Sequence, residues 1–243
     1  MTKTAIIIPS RYGSTRLPAK PLIEVDGKPI IQWVVEKAAK AKLADKVIVA
    51  TDHEKIYNAV TSFGAQAEMT REDHKSGSDR IAEVAEKYPE FEYIINLQGD
   101  EPTITPDSID NVITALKSNA DADISTLIRE ITNPEELTNP NLVKCVIANN
   151  GKALYFSRSK IPYERNISEA KFYGHIGLYG YKRNALFKMT SLSQSMLEKT
   201  ESLEQLRALQ NGMQIYTAIA DYAPIGIDTQ EDIDKFKQLQ KSI

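Results

Sequence analysis

Cysteine is almost absent from this 243-residue chain, and its single thiol, Cys145, has no second cysteine with which to form an intramolecular disulfide. The sequence also lacks any apolar run of about twenty residues, the length that a membrane-spanning helix needs. Its first residues lack the charged and then apolar segments of a secretory leader. These absences predict a protein of the reducing cytoplasm with no membrane segment and a core that folds without disulfides.

Several nucleotide and metal signatures are missing as well. The sequence contains no GxxxxGK[ST] phosphate loop, no GxGxxG dinucleotide turn and no nucleophile elbow. The three histidines, His53, His74 and His175, are too widely spaced to predict a metal site. A net charge of −3 with interspersed signs argues against a nucleic-acid partner. Any phosphate binding must therefore depend on local side chains.

Stretches typical of strands and of helices alternate along the first half of the chain. Apolar runs at 5–8, 46–51, 66–69 and 93–97 are separated by helical patterns over about 30–40, 54–63 and 78–87. Further strands are predicted at 124–128, 143–148, 153–156 and 176–181, with helices from about 106, over 202–210 and over 230–241. This order predicts an α/β fold with a mostly parallel central sheet and helices on both faces. No linker marks a boundary, so we expect one domain over 1–243 with a smaller inserted subdomain.

The most informative segment is the loop after the first apolar run, PSRYGSTRLPAKP at 9–21. It carries the cations Arg11, Arg16 and Lys20, interspersed with small hydroxyl residues. A buried parallel strand ends at the sheet edge where open α/β folds bind ligands. The loop therefore predicts a polyphosphate site, and a solvated basic surface loop is the alternative.

Two acidic segments also follow apolar residues. In QGDEP (98–102), Asp100 faces the same sheet edge and is suited to hold Mg²⁺ against phosphates, with an Asx turn as the alternative. In GIDTQED (226–232), Asp228 precedes a helix. Either Asp228 or Thr229 would make a good helix N-cap, and from these residues alone a cap is the favoured interpretation of Asp228.

Eight blocks of sequence now occur in order along nearly the whole chain: PSRYGSTRLPAKP, ATDH (50–53), SGSDR (76–80), NLQGDEP (96–102), ALYFSR (153–158), GHIGLYGY (174–181), LEQLRAL (203–209) and GIDT (226–229). Together they closely resemble the 3-deoxy-manno-octulosonate (Kdo) cytidylyltransferases. The resemblance implies transfer of CMP from CTP to the anomeric hydroxyl of Kdo for lipopolysaccharide biosynthesis, with release of pyrophosphate. It also implies a Rossmann-like nucleotidyltransferase fold, a homodimer, a CTP-binding half over about 1–125 and a sugar-binding and dimerisation half over 126–243.

The resemblance also assigns roles to individual residues. Those implied to bind the nucleotide are Arg11, Ser14, Arg16 and Lys20 for the triphosphate, and Ser76, Gly77 and Gln98 for the cytidine. Those implied to hold Mg²⁺ are Asp100 and Asp228, and this role replaces the cap interpretation of Asp228. The implied catalytic residues are Lys20, Arg16 and these two aspartates. Those implied to bind Kdo are Arg158, for the sugar carboxylate, with His175, Tyr179, Glu204 and Gln205.

Some alternatives stay open at this point. Glu204 is also placed to pair with Arg207 along a helix face, and Tyr179 is also suited to a strand core. Ser10 and Ala19 stand where the family commonly has Ala and Gly, and the segment between Pro162 and His175 is short for the family. The substrate could therefore be 8-amino-Kdo or another acid sugar. A nucleotide sensor without catalysis is the alternative from a different functional class.

Overall fold

The computed structural model of the chain describes residues 2–13, 17–166 and 170–241. The chain divides into two compact units, one of Met1–Asp110 with Pro224–Ile243 and the other of Asn111–Ala223. The boundary lies earlier than the expected division near 125, and the C-terminal segment belongs to the first unit.

The strands are β1 (Lys3–Ser10), β2 (Glu24–Val25), β3 (Lys28–Pro29), β4 (Lys46–Thr51), β5 (Ala67–Met69), β6 (Phe91–Asn96), β7 (Ile124–Glu130), β8 (Lys144–Ile147), β9 (Ala153–Ser157), β10 (Tyr173–Lys182) and β11 (Ile215–Ala220). The helices are α1 (Ile30–Ala38), α2 (Glu54–Ser62), α3 (Gly77–Lys87), α4 (Pro106–Ser118), α5 (Arg183–Ser191), α6 (Met196–Glu201), α7 (Gln205–Gln210) and α8 (Gln230–Gln240).

The first unit is built on a parallel sheet in the order β6-β1-β4-β5. The apolar run of β1 is buried throughout Ala5–Ile8, as expected of a strand covered on both faces. In the register of the sheet, Ser10 at the end of β1 lies beside Thr51 at the end of β4. The loops that follow β1, β4 and β6 therefore leave the sheet at one edge, as the sequence predicted.

A short hairpin connects the first loop to α1. The two residues between β2 and β3, Asp26 and Gly27, have φ values of 49° and 74°, the left-handed pair that a two-residue hairpin turn requires. An Asp-Gly pair between two short extended stretches is the usual sequence signal for such a turn. The last helix, α8, packs Ile233 and Phe236 into a buried cluster with Ile30, and the Trp33 ring contacts the Phe236 ring edge-on.

In the second unit, β7 pairs in parallel with β11 and antiparallel with β10. The antiparallel pairs continue from β10 to β8 and from β8 to β9. The sequence prediction missed β11, α5 and α6, and its helix over 202–210 corresponds to α7, which begins three residues later at Gln205. The chain bends at Ser202, whose φ of 51° ends α6 before α7 begins.

Within the described ranges, no helix is both long enough and apolar enough to cross a bilayer.

Candidate active site

A cavity of about 370 Å³ opens at the carboxyl edge of the sheet in the first unit. It is lined by residues of the loops after β1 and β6, by the start of α3 and by the segment before α8: Pro9, Ser10, Arg11, Lys20, Pro21, His74, Lys75, Ser76, Gly77, Arg80, Gln98, Gly99, Asp100 and Asp228. Seven of the residues predicted from the sequence to bind the nucleotide or the metal line this cavity: Arg11, Lys20, Ser76, Gly77, Gln98, Asp100 and Asp228.

Lys20 lies between the two aspartates of this cavity. Its Nζ is 2.5 Å from Oδ2 of Asp100 and 3.1 Å from Oδ1 of Asp228. The lysine side chain is 14% exposed, whereas the two carboxylates are 35% and 50% exposed. The cation is thus largely enclosed by the protein while both anions still face solvent. The two carboxylates converge on the lysine Nζ, and hard oxygen ligands of this kind also suit a divalent cation.

Close backbone contacts bring the two aspartates together from distant parts of the sequence. The Ile227 N–H donates to the Asp100 carbonyl at 2.8 Å, and the Ile225 N–H donates to Thr103 Oγ1 at 2.7 Å. Gly99 lets the loop after β6 lie close to the end of β1, because a Cβ there would be 3.0 Å from the Pro9 carbonyl oxygen. The segment before α8 is therefore held against the loop after β6.

Thr229, rather than Asp228, is the N-cap of α8. The Thr229 hydroxyl accepts from the Asp232 N–H, and the Asp232 carboxylate accepts from the Thr229 N–H, so the two form a capping box. The cap interpretation of Asp228 from the residues alone was wrong. With the helix capped by its neighbour, Asp228 turns its carboxylate toward Lys20.

Neutral groups at Ser76, Gly77 and Gln98 form one part of the cavity wall. Helix α3 begins at Gly77, one residue before its predicted start, with Ser76 as N-cap in a capping box with Asp79. The Ser76 hydroxyl therefore accepts from the Asp79 N–H at 3.1 Å. Gln98 Nε2 donates to Asn96 Oδ1 at 3.2 Å, which orients the Gln98 amide at the cavity wall. Neutral donors and acceptors of this kind suit a nucleobase better than a phosphate.

The first loop is only partly described. Arg11 lines the cavity, but Ser14 and Arg16, both predicted to bind the triphosphate, lie outside the described residues. Ala19, where the family commonly has glycine, adopts φ 53° and ψ 31°. This left-handed conformation is one that glycine adopts more readily than alanine.

Three basic residues of the cavity wall were not among the predicted site residues: His74, Lys75 and Arg80. Nε2 of His74 forms a short hydrogen bond with the Glu83 carboxylate, whose pKa is lowered by that bond and by the Arg71 N–H despite burial. Arg80 is only 5% exposed and pairs with Asp52 at 2.8 Å. Arg80 belongs to the SGSDR block and Asp52 to the ATDH block, but no spacing rule connects the two residues.

Buried polar atoms lie beside the cavity. The hydroxyl of Ser10 and the Oε2 atom of Glu101 are inaccessible and have no hydrogen-bond partner among the described residues. Burial and the neighbouring Asp100 charge raise the pKa of Glu101 to about 8. A neutral Glu101 thus adds no further negative charge to the pair of aspartates at neutral pH.

The residues predicted to bind the sugar lie in the second unit. Arg158, at the end of β9, donates from Nε, Nη1 and Nη2 to the carbonyl oxygens of Glu201, Pro140 and Ser202, at 2.6, 2.9 and 3.2 Å. Its backbone N–H also donates to the Glu201 carboxylate at 2.9 Å. The guanidinium is thus fixed against the segment that leads to α7.

A second cation lies beneath Arg158. Lys144 is fully buried, and its Nζ donates to the carbonyl oxygens of Asn139, Leu142 and Arg158 at 2.9, 2.8 and 2.6 Å. Burial lowers its pKa, and the nearby Arg158 charge adds to the effect. All three ammonium donors of Lys144 are therefore used to hold backbone.

His175 and Tyr179 lie on β10 with their ring centroids 5.3 Å apart. His175 Nε2 is 2.9 Å from Thr126 Oγ1, and Phe156 packs edge-on against the imidazole. Burial lowers the pKa of His175 to about 4. The imidazole is therefore neutral at physiological pH and offers one donor and one acceptor.

Glu204 and Gln205 stand at the start of α7, which packs against β9. A buried ion pair supports this helix, because Arg207 reaches Glu198 Oε1 from Nη2 at 2.5 Å and Oε2 from Nε at 2.8 Å. Glu204 Oε1 is 3.9 Å from Arg207 Nη2, so the alternative of a helix-face pair is present but long. All five residues predicted to bind Kdo thus belong to one unit, around β9, β10 and α7.

Comparison with known proteins assigns this architecture. The family model of the cytidylyltransferases matches residues 5–215. The 3-deoxy-manno-octulosonate cytidylyltransferase of Fusobacterium nucleatum is 48% identical over 229 residues, covering 94% of this chain and 93% of that protein. The enzyme of the same name from Thermodesulfovibrio yellowstonii is 47% identical over 244 residues, covering 95% of each.

A solved structure of CMP:2-keto-3-deoxy-manno-octonic acid synthetase complexed with CTP superimposes with a TM-score of 0.95 at 42% identity, covering 99% of both chains. The Rossmann-like nucleotidyltransferase fold expected from the sequence is confirmed by this match. The chain therefore belongs to the cytidylyltransferase family, among the 3-deoxy-manno-octulosonate cytidylyltransferases.

Proposed function

We propose that this protein transfers CMP from CTP to the anomeric hydroxyl of Kdo and releases pyrophosphate. The observation that carries the proposal is the position of Lys20 between Asp100 and Asp228 in a cavity that also contains Arg11. The names of relatives nearly half identical over almost the whole chain support the same reaction. In this reaction the sugar oxygen forms a bond to the α-phosphorus of CTP. The bond between that phosphorus and the oxygen bridging the α- and β-phosphates breaks, and pyrophosphate leaves with this oxygen.

Positive side chains bind the triphosphate in this mechanism. In the proposed mechanism Arg11 and Lys20 offset the negative charge of the phosphates, and the enclosed Lys20 would stabilise the charge that builds up at the α-phosphate. The neutral wall at Gln98 and Gly77 binds the cytidine. Because these groups are held in place before CTP arrives, little of the binding energy is used to order them.

The donor set of the cavity fits Mg²⁺. Asp100 and Asp228 offer hard carboxylate oxygens that converge on one point, and Mg²⁺ in proteins is usually held by one or two carboxylates together with substrate phosphates and water. We propose that these two residues hold the ion. When bound, it would neutralise phosphate charge and lower the pKa of a coordinated hydroxyl. The proton of the sugar hydroxyl is then lost to Asp100 or to water.

Kdo binding is proposed for the second unit. A guanidinium pairs well with the sugar carboxylate, and Arg158 keeps N–H groups beyond the three that hold carbonyl oxygens. The neutral His175, together with Tyr179, Glu204 and Gln205, supplies the mixture of donors and acceptors that a polyhydroxylated chain needs.

The test is pyrophosphate release from CTP and Mg²⁺ with Kdo, 8-amino-Kdo or a sialic acid, each against a control without sugar. We expect rapid release with Kdo and background release with the others. Faster release with the 8-amino sugar would identify that sugar as the substrate and leave the proposed reaction unchanged. CTP binding without release in any arm would identify a sensor, and the proposed transfer would be wrong.

We propose a homodimer in the cytoplasm, as the family resemblance implies. Light scattering on the purified chain should give about twice the mass of the 27.2 kDa monomer. A monomeric mass at all concentrations would contradict the dimer.

A further inference from the structure

The ATDH block contributes no residue to the cavity wall, although it follows β4 at the same sheet edge. Its Asp52 instead joins two elements that do contribute. Asp52 Oδ1 accepts from the Tyr12 N–H at 3.0 Å, and Oδ2 accepts from Arg80 Nη2 at 2.8 Å. Tyr12 directly follows Arg11 of the phosphate loop, and Arg80 lies on α3 and lines the cavity.

The Asp52–Arg80 pair is itself well fixed. The two side chains are 14% and 5% exposed. Arg80 Nη1 donates to Thr70 Oγ1 at 2.5 Å, and Thr70 in turn donates to the Thr51 carbonyl at 3.1 Å. The carboxylate therefore has little freedom to turn away from the Tyr12 N–H. A hydrogen bond to an ionised, partly buried acceptor is stronger than one between neutral groups.

The Tyr12 side chain is held from the same direction. Its ring stacks on His53 with centroids 3.8 Å apart and planes inclined by 15°, and Lys55 Nζ lies 5.5 Å from the ring centroid. His53 is the N-cap of α2, where its Nδ1 accepts from the Lys55 N–H, so the imidazole is fixed as well. Backbone and side chain of Tyr12 are thus both attached to the turn between β4 and α2.

We propose that Asp52 is a positioning residue for the triphosphate. With Arg80 and the Tyr12 N–H it forms a latch that fixes the start of the phosphate loop, and so sets the position of Arg11 before CTP binds. This inference rests on the proposed function, because it assumes that Arg11 contacts the β- and γ-phosphates. A loop that is already ordered loses less entropy on binding, so the latch strengthens the part of the affinity that comes from those phosphates.

The test compares Asp52→Asn with the wild type by calorimetric titration with CTP and with CMP, which lacks the β- and γ-phosphates. An asparagine can accept from Tyr12 only by turning its NH₂ group toward Arg80, so one of the two partners is lost. We expect CTP binding to weaken about tenfold and CMP binding by less than about threefold. A purely structural role would weaken both nucleotides by the same factor.

The chain offers a matched control at the other end of the same two strands. Asp45 precedes β4 and accepts from the Thr4 N–H at 2.8 Å, as Asp52 follows β4 and accepts from Tyr12. Asp45→Asn should leave the ratio of CTP to CMP affinity unchanged. Tyr12→Ala removes the stack on His53 and the contacts with Lys55 but keeps the backbone N–H that donates to Asp52, and it should weaken CTP by roughly threefold and spare CMP.

The outcomes separate the latch from the function it serves. Equal losses for CTP and CMP in Asp52→Asn, or no loss at all, would overturn the latch while wild-type CTP binding upholds the proposed function. If Asp52→Asn does not fold, Tyr12→Ala decides, and an unchanged CTP affinity there would overturn the latch. A wild-type protein that binds no CTP would overturn the proposed function and the latch with it.

Discussion

The two units use their cations in opposite ways. In the first unit, Lys20 faces two partly exposed carboxylates, and the charged atoms stand at a cavity wall. In the second, Lys144 and Arg158 donate to three backbone carbonyls each. A cation that is bound to partly exposed carboxylates can leave them to contact a ligand, so it can take part in the reaction. The buried Lys144 stabilises the loops that carry its three carbonyls, because its ammonium has no donor left for a ligand, whereas Arg158 is only partly buried and keeps further N–H groups.

The largest expected effect concerns the exposed carboxylates of the first unit. Asp228→Asn should lower turnover about a thousandfold, because the amide no longer contributes a negative charge for the bound cation. The fold should persist, since Thr229 caps α8. Pyrophosphate release and thermal unfolding measure the two effects. Asp234→Asn on the same helix is the control, and near-normal turnover in Asp228→Asn would contradict the metal-ligand role.

A change in the second unit should affect stability first. Lys144→Met removes the ammonium and leaves the carbonyls of Asn139, Leu142 and Arg158 without their donor. We expect a loss of about 3 kcal/mol in unfolding free energy, measured by denaturant unfolding.

The control for this change is Lys182→Met, which removes an exposed lysine bonded to the single carbonyl of Ala120. It should cost less than about 1 kcal/mol. Equal losses in the two variants would show that the carbonyl cage around Lys144 has no special value, and the contrast between the units would fail.

The smallest effect concerns His175, whose pKa burial lowers from 6.5 to about 4. The unfolded chain binds a proton at this residue before the folded chain does, so its contribution to stability is complete above about pH 6.5 and falls as the pH drops toward 4. Between about pH 8 and about pH 5, His175→Gln should remove about 2 kcal/mol of that pH dependence. Unfolding at about pH 8 and about pH 5 measures it. If the unfolding free energy of His175→Gln depends on pH as steeply as that of the wild type, the imidazole is solvated in the folded protein.

Much of the first unit could be predicted from the sequence. Unbroken apolar runs identified β1 and β4, and Asp-Gly identified the hairpin turn, because each of these signals is local. The ends of some helices were harder to predict. The end of α6 depends on one left-handed residue, Ser202, and the start of α5 has no side-chain N-cap to mark it. Asp228 shows the same limit within a site, since its own neighbourhood favoured a helix cap.

By itself, the sequence determined the chemistry of the chain: a cationic loop after a buried strand, an acidic turn after another, and eight blocks typical of one family. Only the tertiary structure decided which of these residues meet. Asp100 and Asp228 converge on Lys20 because the chain returns to the first unit at Pro224, and Asp52 reaches Tyr12 and Arg80 because β1 and β4 are neighbours in the sheet. Such contacts join residues far apart along the chain, and their energy comes from burial and register rather than from any local pattern.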